Sequence, residues 1–171
     1  MVNPKFVEDK RQMVSSTFSP HRTLILTLGV FALLSLTGSI PGAVGQNRKL
    51  VVKVNVSPQA NDNNPVAVDL LLVREKKVYK ELMKLSASEW FQKRNQYRLD
   101  YPKETGLAAG SWEWVPGQVV VLEPISFKYK VAGALVFANY LKPGTHRVVV
   151  DPSKPIVITL GPEDIAVKPE K

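Results

Sequence analysis

The sequence predicts a mainly β protein: a two-sheet sandwich with a short helical insertion, preceded by an N-terminal hydrophobic export helix. Three observations lead to this prediction. Short apolar segments with period-two alternation recur at even spacing and are separated by Pro-Gly turns, which is typical of β-sandwiches. One internal stretch, beginning at Glu75, changes to helical spacing. An uncharged apolar run, Leu24 to Leu36, stands near the N-terminus.

The N-terminal region predicts export. Residues 1–22 are polar and end in His21-Arg22, and residues 23–45 contain no charged side chain. A positive flank before such a run is typical of a signal peptide, and Ala43-Val44-Gly45 offers a small-x-small cleavage pattern. The same segment is long enough to serve as an uncleaved signal anchor. We therefore expect residues 23–45 to be a signal peptide or a signal anchor, with Met1 and Met13 both open as the start.

The composition limits the chemistry available to the chain. It has 171 residues, no cysteine and a formal net charge of +8. The missing cysteine excludes a disulfide framework, a zinc–thiolate site, a thiol nucleophile and a lipid anchor on cysteine. The basic residues are scattered and are not interleaved with aromatic residues, so we interpret the charge as favouring solubility and expect no nucleic-acid partner.

The predicted sandwich domain, residues 46–165, starts with two strands and a polar loop. Leu50 to Val56 alternates apolar and polar side chains, and Val66 to Arg74 resumes the strand pattern. Between them, Ala60 to Pro65 is rich in turn-forming residues. By its residues alone, this loop is interpreted as a polar hairpin connection.

Two helices are predicted after the second strand. Val78, Leu82 and Leu85 recur at helical spacing. Ser86 and Glu89 then match a capping box, in which both side chains satisfy free amides at a helix start, and a second short helix follows. The apolar stripe of this insertion must be covered by something, so the helices either pack on the sandwich or project as an interaction arm.

The sequence pattern of β-strands resumes after Pro102. Trp112 to Val115 and Gln118 to Leu122 flank Pro116-Gly117, which predicts a hairpin closed by a type II turn. Further strands are predicted at Phe127 to Lys130, Ala132 to Tyr140, His146 to Val150 and Ile156 to Leu160. The chain from Gly161 onward is predicted to be a short tail, and the sandwich domain is taken to end at residue 165, with residues 166–171 outside it.

No pattern for catalysis or cofactor binding is found in the sequence. Phosphate-binding glycine loops and the common metalloprotease and hydrolase motifs are missing, so we expect no enzyme activity and no cofactor or metal. His146, in a strand pattern, is interpreted as a surface residue. Trp112 and Trp114 are predicted to share one face of their strand. Filling the core is the favoured interpretation, and an exposed platform for a sugar or peptide is the alternative.

The order of these features resembles the TssJ family of type VI secretion lipoproteins. The resemblance covers approximately Leu50 to Leu160 and rests on short motifs, together with the intervening helical segment and the Asn-rich loop. The motifs are Val54-Asn55-Val56-Ser57, Trp114-Val115-Pro116-Gly117-Gln118 and Ala132-Gly133-Ala134-Leu135-Val136. The resemblance implies a transthyretin-like two-sheet β-sandwich in the periplasm, with a non-catalytic role as a structural adaptor of a secretion complex. It also implies a TssM-like inner-membrane partner, contacted through the first loop. The implied contact residues are Asn61, Asp62, Asn63 and Asn64.

One departure from the family concerns the membrane. The family carries a lipid on a cysteine after the signal segment, whereas this chain has Gly38 or Ser39 there. The resemblance therefore leaves two expectations, a free periplasmic protein or one anchored by residues 23–45. The alternative function is a periplasmic ligand-binding sandwich that uses Trp112 and Trp114.

Overall fold

The computed structural model describes residues 47–170, which contain ten strands, two α-helices and one 3-10 turn. The predicted export segment, residues 23–45, lies outside the described residues. Within the described part, neither helix is long and apolar enough to cross a membrane. The helices are α1 (Lys76–Leu82) and α2 (Ala87–Asp100), and the 3-10 turn is Ala60–Asn63. The strands are β1 (Arg48–Leu50), β2 (Val52–Val56), β3 (Val66–Val73), β4 (Leu107–Trp114), β5 (Val119–Val121), β6 (Ile125–Phe127), β7 (Gly133–Asn139), β8 (Arg147–Val150), β9 (Ile156–Leu160) and β10 (Ile165–Pro169).

Two four-stranded sheets form the sandwich. One has the order β10-β9-β2-β5 and the other β4-β3-β7-β8, while β1 and β6 form a two-stranded ribbon. Strands β2 and β9 pair in parallel, and the other pairs in residues 47–170 are antiparallel. The predicted mainly β sandwich with a helical insertion is therefore confirmed.

The core lies between the sheets and extends under the helices. The alternation predicted for Leu50 to Val56 is confirmed, because Leu50, Val52, Val54 and Val56 are all buried in the core. Strand β3 is buried on both faces: Val66, Val68 and Leu70 face the opposite sheet, and Leu71 and Val73 face the helices. The helical insertion thus packs on the sandwich and does not project from it.

Helix α2 begins at the predicted capping box. The backbone N–H of Glu89 donates to the Ser86 hydroxyl at 3.3 Å, and the backbone N–H of Ser86 donates to the Glu89 carboxylate at 2.7 Å. Hydrogen bonds from the backbone and the hydroxyl of Ser86 hold the pKa of Glu89 below its ordinary value. The helix then continues for 14 residues, longer than the short helix expected.

A buried carboxylate ties α2 to the sheet. Asp69, in the middle of β3, is fully buried. It accepts hydrogen bonds from Trp90 Nε1 at 2.9 Å, Arg98 Nη2 at 3.1 Å and Arg94 Nη1 at 3.3 Å. Trp90 also stacks on Phe137 of β7, with ring centroids 5.4 Å apart. The polar network therefore fixes the register of α2 on a surface that is otherwise apolar.

The Pro116-Gly117 turn is present, but it does not close a hairpin. Gly117 has φ +82°, as a type II turn requires, and the Gln118 N–H donates to the Val115 carbonyl at 3.3 Å. However, β4 pairs with β3 while β5 pairs with β2 in the opposite sheet. The hairpin prediction was wrong, because a turn sets the local chain direction whereas packing decides the strand's partner.

Two other connections differ from the prediction for related reasons. The loop Ala60 to Pro65 also leads from one sheet to the other, so it is not a hairpin connection. The tail predicted over residues 166–171 was wrong for residues 166–169, because β10 pairs along its whole length with β9. Its Lys168 and Pro169 are residue types that suit an edge strand, and they concealed the strand pattern.

Candidate functional site

Three connections meet at one end of the sandwich. We call this surface the loop end; it consists of residues 60–65, 140–146 and 161–164. The Asn61 N–H donates to the Pro162 carbonyl at 2.9 Å, and the Leu141 N–H donates to Asn61 Oδ1 at 2.6 Å. The Tyr140 hydroxyl lies 3.1 and 3.0 Å from the carbonyl oxygens of Gly161 and Asp164. These bonds join the three connections into one preformed surface.

The Asn-rich loop owes its shape to left-handed backbone conformations. Asn61, Asp62 and Asn63 have φ of 51°, 53° and 60°, a region that Asn and Asp tolerate better than other non-glycine residues. The Asn61 side chain is buried, and its Nδ2 donates to the Pro65 carbonyl at 2.9 Å. Asp62, Asn63 and Asn64 are exposed. Of the four residues predicted to contact a partner, Asn61 therefore supports the loop from inside, and the other three are open to contact.

His146 also belongs to this end, and the prediction of a surface histidine was wrong. Its side chain is only 7% exposed. Its Nδ1 lies 2.8 Å from Asp164 Oδ1, and its Nε2 lies 2.7 Å from the Lys142 carbonyl oxygen. The ring packs on Tyr140 with a centroid distance of 4.8 Å. His146 thus links the 140–146 connection to the 161–164 connection. The strand pattern beside Arg147 does not indicate this role.

Tyr140 is held in the same cluster. Burial, with a smaller contribution from the Asp164 carboxylate, raises the pKa of Tyr140 above its ordinary value. The hydroxyl therefore stays protonated and can donate to a carbonyl oxygen throughout the physiological pH range. This keeps residues 161–164 attached to the 140–146 segment.

Sequence reasoning missed Leu141, the most apolar feature of the loop end. Its side chain is 66% exposed and lies between two shallow cavities of about 290 and 350 Å³. Lys142 lines both cavities as well, and its ammonium group pairs with the carboxylate of Glu163. A large apolar residue two positions before Pro143-Gly144 was the available signal, because turns ordinarily carry polar side chains.

The two tryptophans lie elsewhere and have different environments. Trp112 and Trp114 stack with ring centroids 5.6 Å apart and planes 9° from parallel. Trp114 is 5% exposed and belongs to the core, as the favoured interpretation expected, whereas Trp112 is half-buried beside a cleft of about 170 Å³. A platform made of both indoles is therefore wrong, since only Trp112 is accessible.

The loop end has the properties of a contact surface. Among residues 47–170, no cluster of three or more His, Asp or Glu side chains is arranged to hold a metal ion. What the loop end presents instead is the large exposed apolar side chain of Leu141, several amide and carboxylate groups, and a fixed backbone. Such a combination suits recognition of another macromolecule.

The comparisons with known proteins concern the fold. No family model and no curated protein matches the chain. Among solved structures, the T6SS lipoprotein TssJ1 from Pseudomonas aeruginosa superposes with a TM-score of 0.54 at 13% identity, over 74% of this chain and 98% of that one. The fold is TssJ-like. The resemblance found in the sequence is thereby confirmed at the level of the fold.

Two further structures share the TssJ-like fold. Serratia marcescens Lip, a membrane bound component of the Type VI Secretion System, has a TM-score of 0.53 at 13% identity and covers 74% of this chain and 100% of that one. A chain in the structure of the T6SS protein TssM C-terminal domain from EAEC has a TM-score of 0.53 at 14% identity, over 72% of this chain and 99% of that one.

Proposed function

We propose that the protein is a non-catalytic structural adaptor of a type VI-like secretion complex and binds a TssM-like inner-membrane component in the periplasm. The observation that carries the proposal is the TssJ-like fold. This chain covers 98% of the T6SS lipoprotein TssJ1 and 100% of Lip, a membrane bound component of the Type VI Secretion System. Residues 23–45 supply the export segment that this location requires, as a cleaved signal peptide or as an anchor.

The loop end is the contact surface in this proposal. Its connections are already held by the Asn61 and Tyr140 hydrogen bonds, so little conformational entropy remains to be lost on binding. Leu141 is an apolar anchor, and Asp62, Asn63 and Asn64 form part of a polar rim around it. The partner is therefore expected to offer an apolar recess bordered by hydrogen-bonding groups.

The experiment that tests the proposal is quantitative co-purification. The tagged full-length chain is isolated from the membranes of cells that make the complete secretion cluster, and the TssM-like protein is measured by mass spectrometry. Leu141→Ser should reduce recovery of that partner about tenfold, the effect of losing a moderate interface hot spot. Leu99→Ser is the matched control, because Leu99 is 75% exposed on α2 and lies outside the loop end.

The outcomes separate two parts of the proposal. Failure of the wild-type chain to bring down any TssM-like protein would reject the adaptor function. Equal recovery with wild type and Leu141→Ser would retain the adaptor but reject the loop end as its contact surface.

A further inference from the structure

Strand β4 is an unusually open sheet edge. Of the four sandwich edges in residues 47–170, β5 and β8 have three and four residues, and β10 ends in Lys168 and Pro169. Shortness, lysine and proline are the usual means by which proteins block unwanted strand pairing. Strand β4 has eight residues, no proline and no basic residue, and small side chains from Ala108 to Ser111. Its backbone is therefore accessible to another strand.

An apolar cleft follows the inner face of this edge. The cleft of about 170 Å³ reaches the core side chains Leu70 and Leu72 from outside. Its walls include Trp112 of β4 and Tyr129 after β6. The Trp112 ring lies over Gly110 and occupies the space that a Cβ at this position would take. The indole therefore lies along the edge, where it can cover an apolar side chain entering the cleft.

Near the centre of the same edge, the outer face carries the guanidinium group of Arg98, and Glu113 lies exposed toward the end of the strand. Arg98 Nη2 donates to the Ser111 hydroxyl at 2.6 Å and to Asp69 at 3.1 Å. Arg94 pairs with the same carboxylate, so two guanidinium groups surround one negative charge. Arg98 Nε is buried and has no hydrogen-bond partner within the described part of the chain.

We propose that β4 accepts an extended segment of a partner protein in which apolar and acidic residues alternate. Neighbouring residues of a strand point to opposite faces. An added strand would therefore place its apolar side chains in the cleft against Trp112 and its acidic side chains on the face of Arg98. Main-chain hydrogen bonds to β4 supply affinity, and this alternation supplies specificity. The site is separate from Leu141 and does not depend on the adaptor function.

Peptide binding to the purified full-length chain tests the proposal. The probes are the fluorescently labelled peptides Thr-Val-Glu-Val-Glu-Val-Thr and Thr-Val-Lys-Val-Lys-Val-Thr, followed by anisotropy. The acidic peptide should bind at least about tenfold more tightly than the basic one, as expected when charge pairing determines partner choice. Ala109→Lys, which adds a positive charge to the exposed outer face of β4, should strengthen binding of the acidic peptide about threefold, the effect of one added opposite-charge pair across two strands.

Control variants show whether the effect belongs to this edge. Val121→Lys, at a 63% exposed position on the β5 edge, should leave binding of the acidic peptide unchanged. Ser111→Glu should reverse the preference toward the basic peptide, because it places a carboxylate beside Arg98. Unfolding midpoints equal to that of wild type establish that each variant is folded.

Three results would overturn the proposal. The first is that neither peptide binds, and the second is that both bind equally. The third is self-association of the wild-type chain in sedimentation that Ala109→Lys abolishes, which would assign the edge to a second copy of this chain.

Discussion

Replacing Asp69 should weaken the attachment of α2 to the sheet, and the structure indicates by how much. Asp69→Ala removes the acceptor of the indole N–H of Trp90, a fully buried side chain, and an unsatisfied buried donor costs about 1–3 kcal/mol. The side chains of Arg94 and Arg98 are 33% and 36% exposed, so water can solvate them when Asp69 is removed. Losing their ion pairs with Asp69 therefore adds only about 1 kcal/mol. We expect the free energy of unfolding to fall by about 3 kcal/mol, at the lower end of the cost of breaking a buried ion pair.

Urea unfolding followed by tryptophan fluorescence measures this change. The midpoint should fall while the dependence of the unfolding free energy on urea stays constant, because the buried surface is nearly the same. Asp69→Asn is the matched control: it keeps an acceptor for Trp90 and a similar shape, so it should cost clearly less than alanine. If Asp69→Ala lies within about 1 kcal/mol of wild type, the reasoning is refuted and apolar packing alone holds α2 in place.

Three further predictions concern local features. Gly117→Ala should lower the free energy of unfolding by about 1 kcal/mol, because alanine disfavours a φ of +82°. The space around Gly117 is open, so no clash adds to this effect, and an unchanged thermal midpoint would argue against the turn geometry. The Glu89 carboxylate, with its lowered pKa, should contribute stability above the pKa of the unfolded chain and lose it as pH falls through the folded pKa. In Ser86→Ala, this part of the pH–stability profile should flatten, and the cap loss should cost about 1 kcal/mol. Tyr140→Phe should cost about 1 kcal/mol and accelerate amide exchange at residues 161–164, whereas unchanged exchange would show that the hydroxyl does not hold that turn.

Features encoded by neighbouring residues could be predicted from the sequence. The alternation in Leu50 to Val56 marks a half-buried strand regardless of its partner. The Ser86–Glu89 pair forms its capping box within one helical turn. The φ of Gly117 likewise follows from a local turn. In each case the interacting groups lie within a few positions of one another, so the local sequence is sufficient to predict the local structure.

Features that depend on distant residues could not be predicted in the same way. The partner of β5 is β2, far back along the chain, and no local signal distinguishes it from the adjacent β4. Asn61 and His146 are polar residues that the local sequence does not mark as buried. Asn61 is held by the Leu141 N–H, and His146 by Asp164 and the Lys142 carbonyl. The sequence shows Leu141 as an apolar residue near a turn, but its place on a shared surface follows only from the convergence of the three connections.

The parallel pairing of β2 with β9 has a consequence for the order of folding. β2 lies at the centre of its sheet, yet Val54 pairs with Ile158 near the other end of the domain. During synthesis β2 appears early, but it cannot pair with β9 until almost the whole domain has been made. Such long-range pairing slows folding and prolongs exposure of aggregation-prone surface. We therefore expect β2 to be the segment that a chaperone binds while the domain is still incomplete.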